Sequence, residues 1–134
     1  MAVQISEVQQ NTAIYVVESD PATRRKLNAA LAGMRWPVYS YATPKTFLDS
    51  VPRAACGCVV ANFQLVETAI NDFLQSIERE QHQLAVILMC RHMEIPDAVA
   101  AMRAGVHDVM EFPVVERALR RRVRGAILNS QTNN

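Results

Sequence analysis

The chain is 134 residues long, half apolar and one-fifth charged, with a formal net charge of +1. That length holds one domain, large enough to bury a core of its own without metal or disulfide staples. Near-neutral charge excludes nucleic-acid or membrane attachment by bulk electrostatics, and no apolar run approaches the roughly 18 residues needed to cross a bilayer. The three cysteines, Cys56, Cys58 and Cys90, are an odd number, and residues 1–12 lack an apolar signal core. These features point to a reduced, cytoplasmic protein.

Residues 1–12 read as a flexible tail without periodicity. The first apolar run, AIYVV, covers Ala13–Val17. Asp20-Pro21 then offers a capping oxygen before a proline suited to a first helical turn. Leu27, Ala30, Leu31 and Met34 follow at helical spacing, and Gly33 supplies a left-handed exit. PVYSY (Pro37–Tyr41) is the second run. Thr43-Pro44 repeats the capping pattern ahead of Phe47, Leu48 and Val51. CVVA (Cys58–Ala61) and LAVILM (Leu84–Met89) are continuously apolar, as strands buried on both faces should be.

Ile70, Phe73, Leu74 and Ile77 form a helical stripe between those two runs. Ile95, Ala98, Val99 and Met102 form another, ending near Gly105. DVMEF (Asp108–Phe112) is the last run, followed by Val115, Leu119, Val123 and Ile127 at every fourth position. Residues 129–134 read as a polar tail or linker stub, which leaves 13–128 as the domain. The alternation is (βα)5. It predicts a doubly wound parallel sheet of flavodoxin-like order 2-1-3-4-5, with ligand chemistry at the carboxyl ends of the strands.

Three segments carry a resemblance. VILMCRHMEIPDAVAAMRAGVHDVMEFPV (Val86–Val114), YVVESDPATRRKLNAAL (Tyr15–Leu31) and SYATPKTFL (Ser40–Leu48) resemble the receiver domain of bacterial response regulators, in the subtype found on LuxR-type transcription factors. The resemblance covers about Ile14 to Leu128. It implies phosphoryl transfer from a phosphohistidine to one aspartate with bound Mg2+, and it places the reactive positions on residues of other kinds. The acidic pair after the first strand falls on Glu18 and Ser19, with Asp20 next. The phosphoacceptor falls on Asn62, the Thr or Ser on Cys90, and the Lys on Phe112, ahead of a cis-proline candidate at Pro113. The switch aromatic falls on Val109.

An amide cannot form an acyl phosphate. Mg2+ wants hard anionic oxygens, and Phe112 supplies no cation for a transferring phosphoryl group. Its ring is expected to fill the space a phosphate needs. The expected protein is thus a non-enzymatic pseudo-receiver that binds Mg2+ weakly or not at all and takes no other cofactor. It would act by protein contact, with a histidine kinase, output domain or regulator as partner, as the regulatory part of a transcription factor. With Cys90 and Val109 in the switch positions, it is expected to stay near one conformation.

Homodimerisation through the fourth helix, fifth strand and fifth helix is the expected association. Arg103, Arg117, Arg120, Arg121 and Arg124 mark the candidate partner face, and direct nucleic-acid or membrane binding is not expected. One alternative keeps the relay chemistry with Glu18 or Asp20 as acceptor. Another is a small flavodoxin-like cofactor binder, disfavoured because ESDPATRR is not a phosphate cradle. Cys56-Gly57-Cys58 reads as structural, since no second pair completes a metal set. Cys90 reads as a small, partly buried residue, and His82, His92 and His107 as residues of loops at helix ends.

Overall fold

The computed structural model describes residues 12–80 and 83–132. Five strands alternate with five helices: β1 (Thr12–Val17), α1 (Pro21–Leu31), β2 (Val38–Tyr41), α2 (Pro44–Ser50), β3 (Cys56–Asn62), α3 (Ile70–Glu80), β4 (Gln83–Cys90), α4 (Ile95–Ala104), β5 (Asp108–Glu111) and α5 (Glu116–Thr132). Two 3-10 turns, Phe63–Leu65 and Glu67–Ala69, link β3 to α3. All pairings are parallel and the order is β2-β1-β3-β4-β5, as the sequence predicts.

Strand alternation sends side chains to opposite faces, so each helix layer receives its own core. Ile14, Val16, Cys58, Val60, Ile87 and Met89 meet Leu27 and Leu31 of α1 and Leu119, Val123 and Ile127 of α5. Tyr15, Val17, Val59, Ala61, Val86 and Leu88 meet Phe47 of α2, Phe73 and Ile77 of α3 and Ala101 of α4. Burying a large apolar side chain contributes roughly 1.5–3 kcal/mol, so the two clusters hold the fold. Gly57 is required where β3 passes β1. Its φ is +130°, and a Cβ there would overlap the Ala13 carbonyl.

Local signals behave as their chemistry dictates. The Asp20 side chain accepts from Thr23 N–H, and that of Thr43 accepts from Thr46 N–H, each ahead of a proline in the first turn. Gly33 and Gly105 both have positive φ. Two sequence expectations are corrected. Thr12 is fully buried in β1 and not part of a tail. The last helix continues to Thr132, and Ser130 Oγ bonds the Gln83 carbonyl at 3.2 Å, which ties the polar carboxyl-terminal segment to the start of β4. The stripe on α4 turns outward: Ile95 is 78% exposed and Met102 47%, and only Ala101 is buried.

Candidate functional site at the carboxyl edge of the sheet

Four of the five strand ends deliver the expected set. Glu18, Ser19 and Asp20 follow β1, Asn62 closes β3, Cys90 closes β4, and Phe112 and Pro113 follow β5. The structure joins Glu18 and Asn62 directly. Glu18 is only 1% exposed, and its two oxygens are both occupied. Oε1 accepts from Asn62 Nδ2 and Oε2 from the Asp20 N–H, each at 2.9 Å. The other end of the Asn62 amide is also committed, with Oδ1 accepting from Gln64 N–H at 3.0 Å. A buried carboxylate needs such donors, because an unpaired charge in the interior is heavily penalised.

Ser19 and Asp20 are exposed. Asp20 Oδ2 accepts from both the N–H and the hydroxyl of Thr23. Those bonds hold its carboxyl below the usual range, aided by the Arg91 and Arg25 charges. Arg24 closes the same turn by donating to the Glu18 carbonyl at 2.8 Å. Cys90 is buried more completely than expected, and its thiol reaches the Met110 carbonyl at 3.5 Å. Burial raises its pKa, so it is a poor thiolate source.

The Phe112–Pro113 peptide bond is cis. The Phe112 ring is committed differently from the expectation that it fills the phosphate space. It packs half-buried against the cluster on the α1/α5 face, with the Arg91 guanidinium 5.5 Å from its centroid. Arg91 is therefore a cation at the site. Its one sequence signal is its place just past the end of β4. Val109 packs against the opposite cluster and borders a groove with Ala98, Val99, Met102 and Arg103.

Five parallel strands in this order, with a carboxylate, an amide and a cis-proline at their carboxyl ends, meet a known family. Residues 14–124 match the model of the response regulator receiver domain. The chain belongs to that family. Receiver domains are the signalling domains of two-component systems. The FixJ transcriptional regulatory protein of Bradyrhizobium diazoefficiens is 29% identical over 88% of this chain. The response regulator protein TodT of Pseudomonas putida is 28% identical over 85%. The chain spans 58% and 50% of the lengths of those two relatives. The crystal structure of full-length FixJ from B. japonicum superposes with a TM-score of 0.77 at 28% identity, covering 89% of this chain and 59% of that one.

Other candidates of this receiver domain lie apart. Cys56 and Cys58 are free and buried. Among the described residues, no cluster of three His, Cys, Asp or Glu could hold a metal, and no helix is long and apolar enough to cross a membrane. His92 pairs with Glu94 on the surface, His107 lies between α4 and β5, and His82 is outside the described residues.

The arginines of α5 divide by use. Arg120 donates from Nε to the Ala30 carbonyl at 2.7 Å and from Nη2 to the Ala32 carbonyl, pinning α5 to α1. Arg122 bonds Asp108, pinning the other flank to β5. Arg117, Arg121 and Arg124 form an exposed stripe at helical spacing. Arg120 is thus a structural member of the expected partner face.

Proposed function

We propose that this receiver signals by protein contact without phosphorylation of an aspartate. The observation that carries the reading is the hydrogen bond from Asn62 to Glu18. The acceptor position holds an amide, which has no carboxylate oxygen to attack phosphorus, and that amide occupies the carboxylate that a metal would otherwise use.

Mg2+ does not fit this donor set. Both Glu18 oxygens and the Asn62 oxygen already accept hydrogen bonds, and Ser19 adds only a neutral hydroxyl. Mg2+ demands near-octahedral hard oxygen ligation and takes carboxylates by preference. No phosphoryl step is therefore derived through it.

The contact surface we assign is the face built by α4, β5 and α5. Its apolar part is the outward stripe of α4, and its basic part is Arg103, Arg117, Arg121 and Arg124. The partner is a second copy, an output domain or a histidine kinase. The lengths of the FixJ and TodT relatives support a role as the regulatory part of a longer cytoplasmic transcription regulator, with nucleic-acid contact left to another domain.

Incubation with acetyl phosphate and Mg2+, followed by intact mass measurement, tests the reading. No added phosphoryl group is expected. A phosphoryl group mapped to Glu18 or Asp20 would overturn it in favour of a divergent relay.

A further inference from the structure

A second site lies toward the amino-terminal ends of β1 and β2. Parallel register sets Tyr15 beside Tyr39. Their ring centroids are 5.9 Å apart at 29°, and Tyr15 and Tyr41 are 6.5 Å apart at 25°. Phe47 of α2 braces Tyr15 and Tyr41, at 5.6 Å from each. α2 ends after seven residues, and the chain turns back through Pro52 and Arg53 to β3. This short helix leaves the aromatic ladder partly uncovered. The result is a cavity of about 370 Å3, bordered by Tyr15, Tyr39, Tyr41, Pro37, Pro52 and Arg53. That volume lies within the range of small-molecule sites, which combine apolar walls with a few polar groups.

Two polar groups converge there, and the fold uses neither. Tyr15 as a whole residue is 3% exposed, no hydrogen bond joins its hydroxyl to the described residues, and it lines the open cavity. Burial first, then the neighbouring tyrosines, push its pKa up to about 12, so it remains a protonated donor at physiological pH. Arg53 is exposed at the rim, and among the described residues it has no ion pair and no carboxylate borders the cavity. A hydroxyl facing a cavity can exchange water for a ligand acceptor. A guanidinium binds carboxylates in a bidentate fork, and offset aromatic faces favour a planar ring.

We propose that this cavity binds a small aromatic carboxylate. Its carboxylate meets Arg53 at the mouth, its ring lies along the tyrosine ladder, and a distal oxygen accepts from Tyr15. The cavity shares no lining residue with the Glu18–Asn62 site, so the inference stands apart from it.

Titration with 4-hydroxybenzoate, followed by amide chemical shifts, tests it. The two controls are 4-hydroxybenzyl alcohol, which lacks the charge, and benzoate, which lacks the distal oxygen. Saturable shifts confined to Tyr39, Tyr41, Arg53 and Ala55 are expected, with a Kd at or below about 1 mM and roughly tenfold preference over the alcohol. Arg53→Gln should abolish that preference, and Tyr15→Phe should abolish the preference over benzoate. The surface position of Arg53 makes its variant decisive even if Tyr15→Phe disturbs folding. Unsaturable or scattered shifts, equal affinity for the alcohol, or an unchanged Arg53→Gln profile would each overturn the proposal.

Discussion

Replacing Asn62 by aspartate exchanges an amide nitrogen for an oxygen and reverses the electrostatics of the site. The wild-type amide donates to Glu18 Oε1 at 2.9 Å, and Glu18 is 1% exposed. Asn62→Asp removes a hydrogen bond to a charged group, which contributes about 1.5–3 kcal/mol. It also sets a second carboxylate beside the first, where like charges at 4 Å repel by about 4 kcal/mol at an effective dielectric of 20. Relaxation of the new, partly exposed carboxylate toward solvent offsets part of this. A net loss of about 2–4 kcal/mol is expected, which for a domain of this size lowers Tm by about 10 °C.

The same pair of carboxylates is what a divalent ion needs, so Mg2+ should restore stability to the variant by mass action. An ion present at tenfold its Kd contributes about 1.4 kcal/mol. Thermal melts of both proteins in EDTA and in excess Mg2+ separate the effects. Wild type should be indifferent to Mg2+, and Asn62→Asp should melt lower in EDTA and recover with metal. Equal melting of the two proteins in EDTA would show that the Asn62–Glu18 bond contributes nothing. A Mg2+ shift in wild type as large as in the variant would refute the argument that the donor set is closed to metal.

Arg120→Ala should cost about 1–2 kcal/mol in urea unfolding, because it leaves the Ala30 and Ala32 carbonyls short of a donor. Arg121→Ala, on the exposed stripe, should stay within about 0.5 kcal/mol of wild type. Gly57→Ala should abolish soluble expression or cost more than about 3 kcal/mol, since β3 would have to move away from Ala13. His92 should titrate above its ordinary value, because the Glu94 hydrogen bond, and then its charge, favour the cation. The stabilisation from that pair is present below the ordinary histidine pKa and lost as pH rises through the raised one. NMR titration should show this inflection, with Glu94→Gln moving it back.

The architecture is legible because the strands differ in kind from the helices. Continuous runs as short as Cys58–Ala61 and Leu84–Met89 suit strands of a sheet covered on both faces. The caps at Asp20 and Thr43 fix where two helices start. Periodicity does not say which way a stripe faces. The same spacing that buries Leu119, Val123 and Ile127 of α5 turns Ile95 and Met102 of α4 outward. α4 has few neighbours to cover its apolar side, and that depends on packing rather than local sequence. The polar end of α5 reads as a tail because the bond from Ser130 to Gln83 spans 47 positions of chain. At the site, strand ends locate Glu18, Asn62, Cys90 and Phe112. The stacking of Arg91 on Phe112 depends on how β4 and β5 are spaced in the fold.

The proposed departures from the family's reactive set would be coupled physically, and the Asn62–Glu18 hydrogen bond indicates how. Glu18 lies at the end of β1 where the backbone enters α1, and burial there requires donors for both carboxylate oxygens. In a metal-binding receiver, a cation and its waters would meet that demand. Here the chain meets it with the Asp20 N–H and the Asn62 amide. An aspartate in place of Asn62, with no metal, would leave two carboxylates and one fewer donor. An alanine there would leave Glu18 Oε1 unpaired. Of these three residues, only asparagine satisfies the carboxylate, keeps the cap on Gln64 and requires no ion. Under the proposed reading without a metal, Asn62 is therefore the residue that Glu18 demands. That predicts an order among variants: in EDTA, Asn62→Ala should be more stable than Asn62→Asp and less stable than wild type. Equal stability of the alanine variant and wild type would show that Glu18 finds water instead, and the coupling would fail.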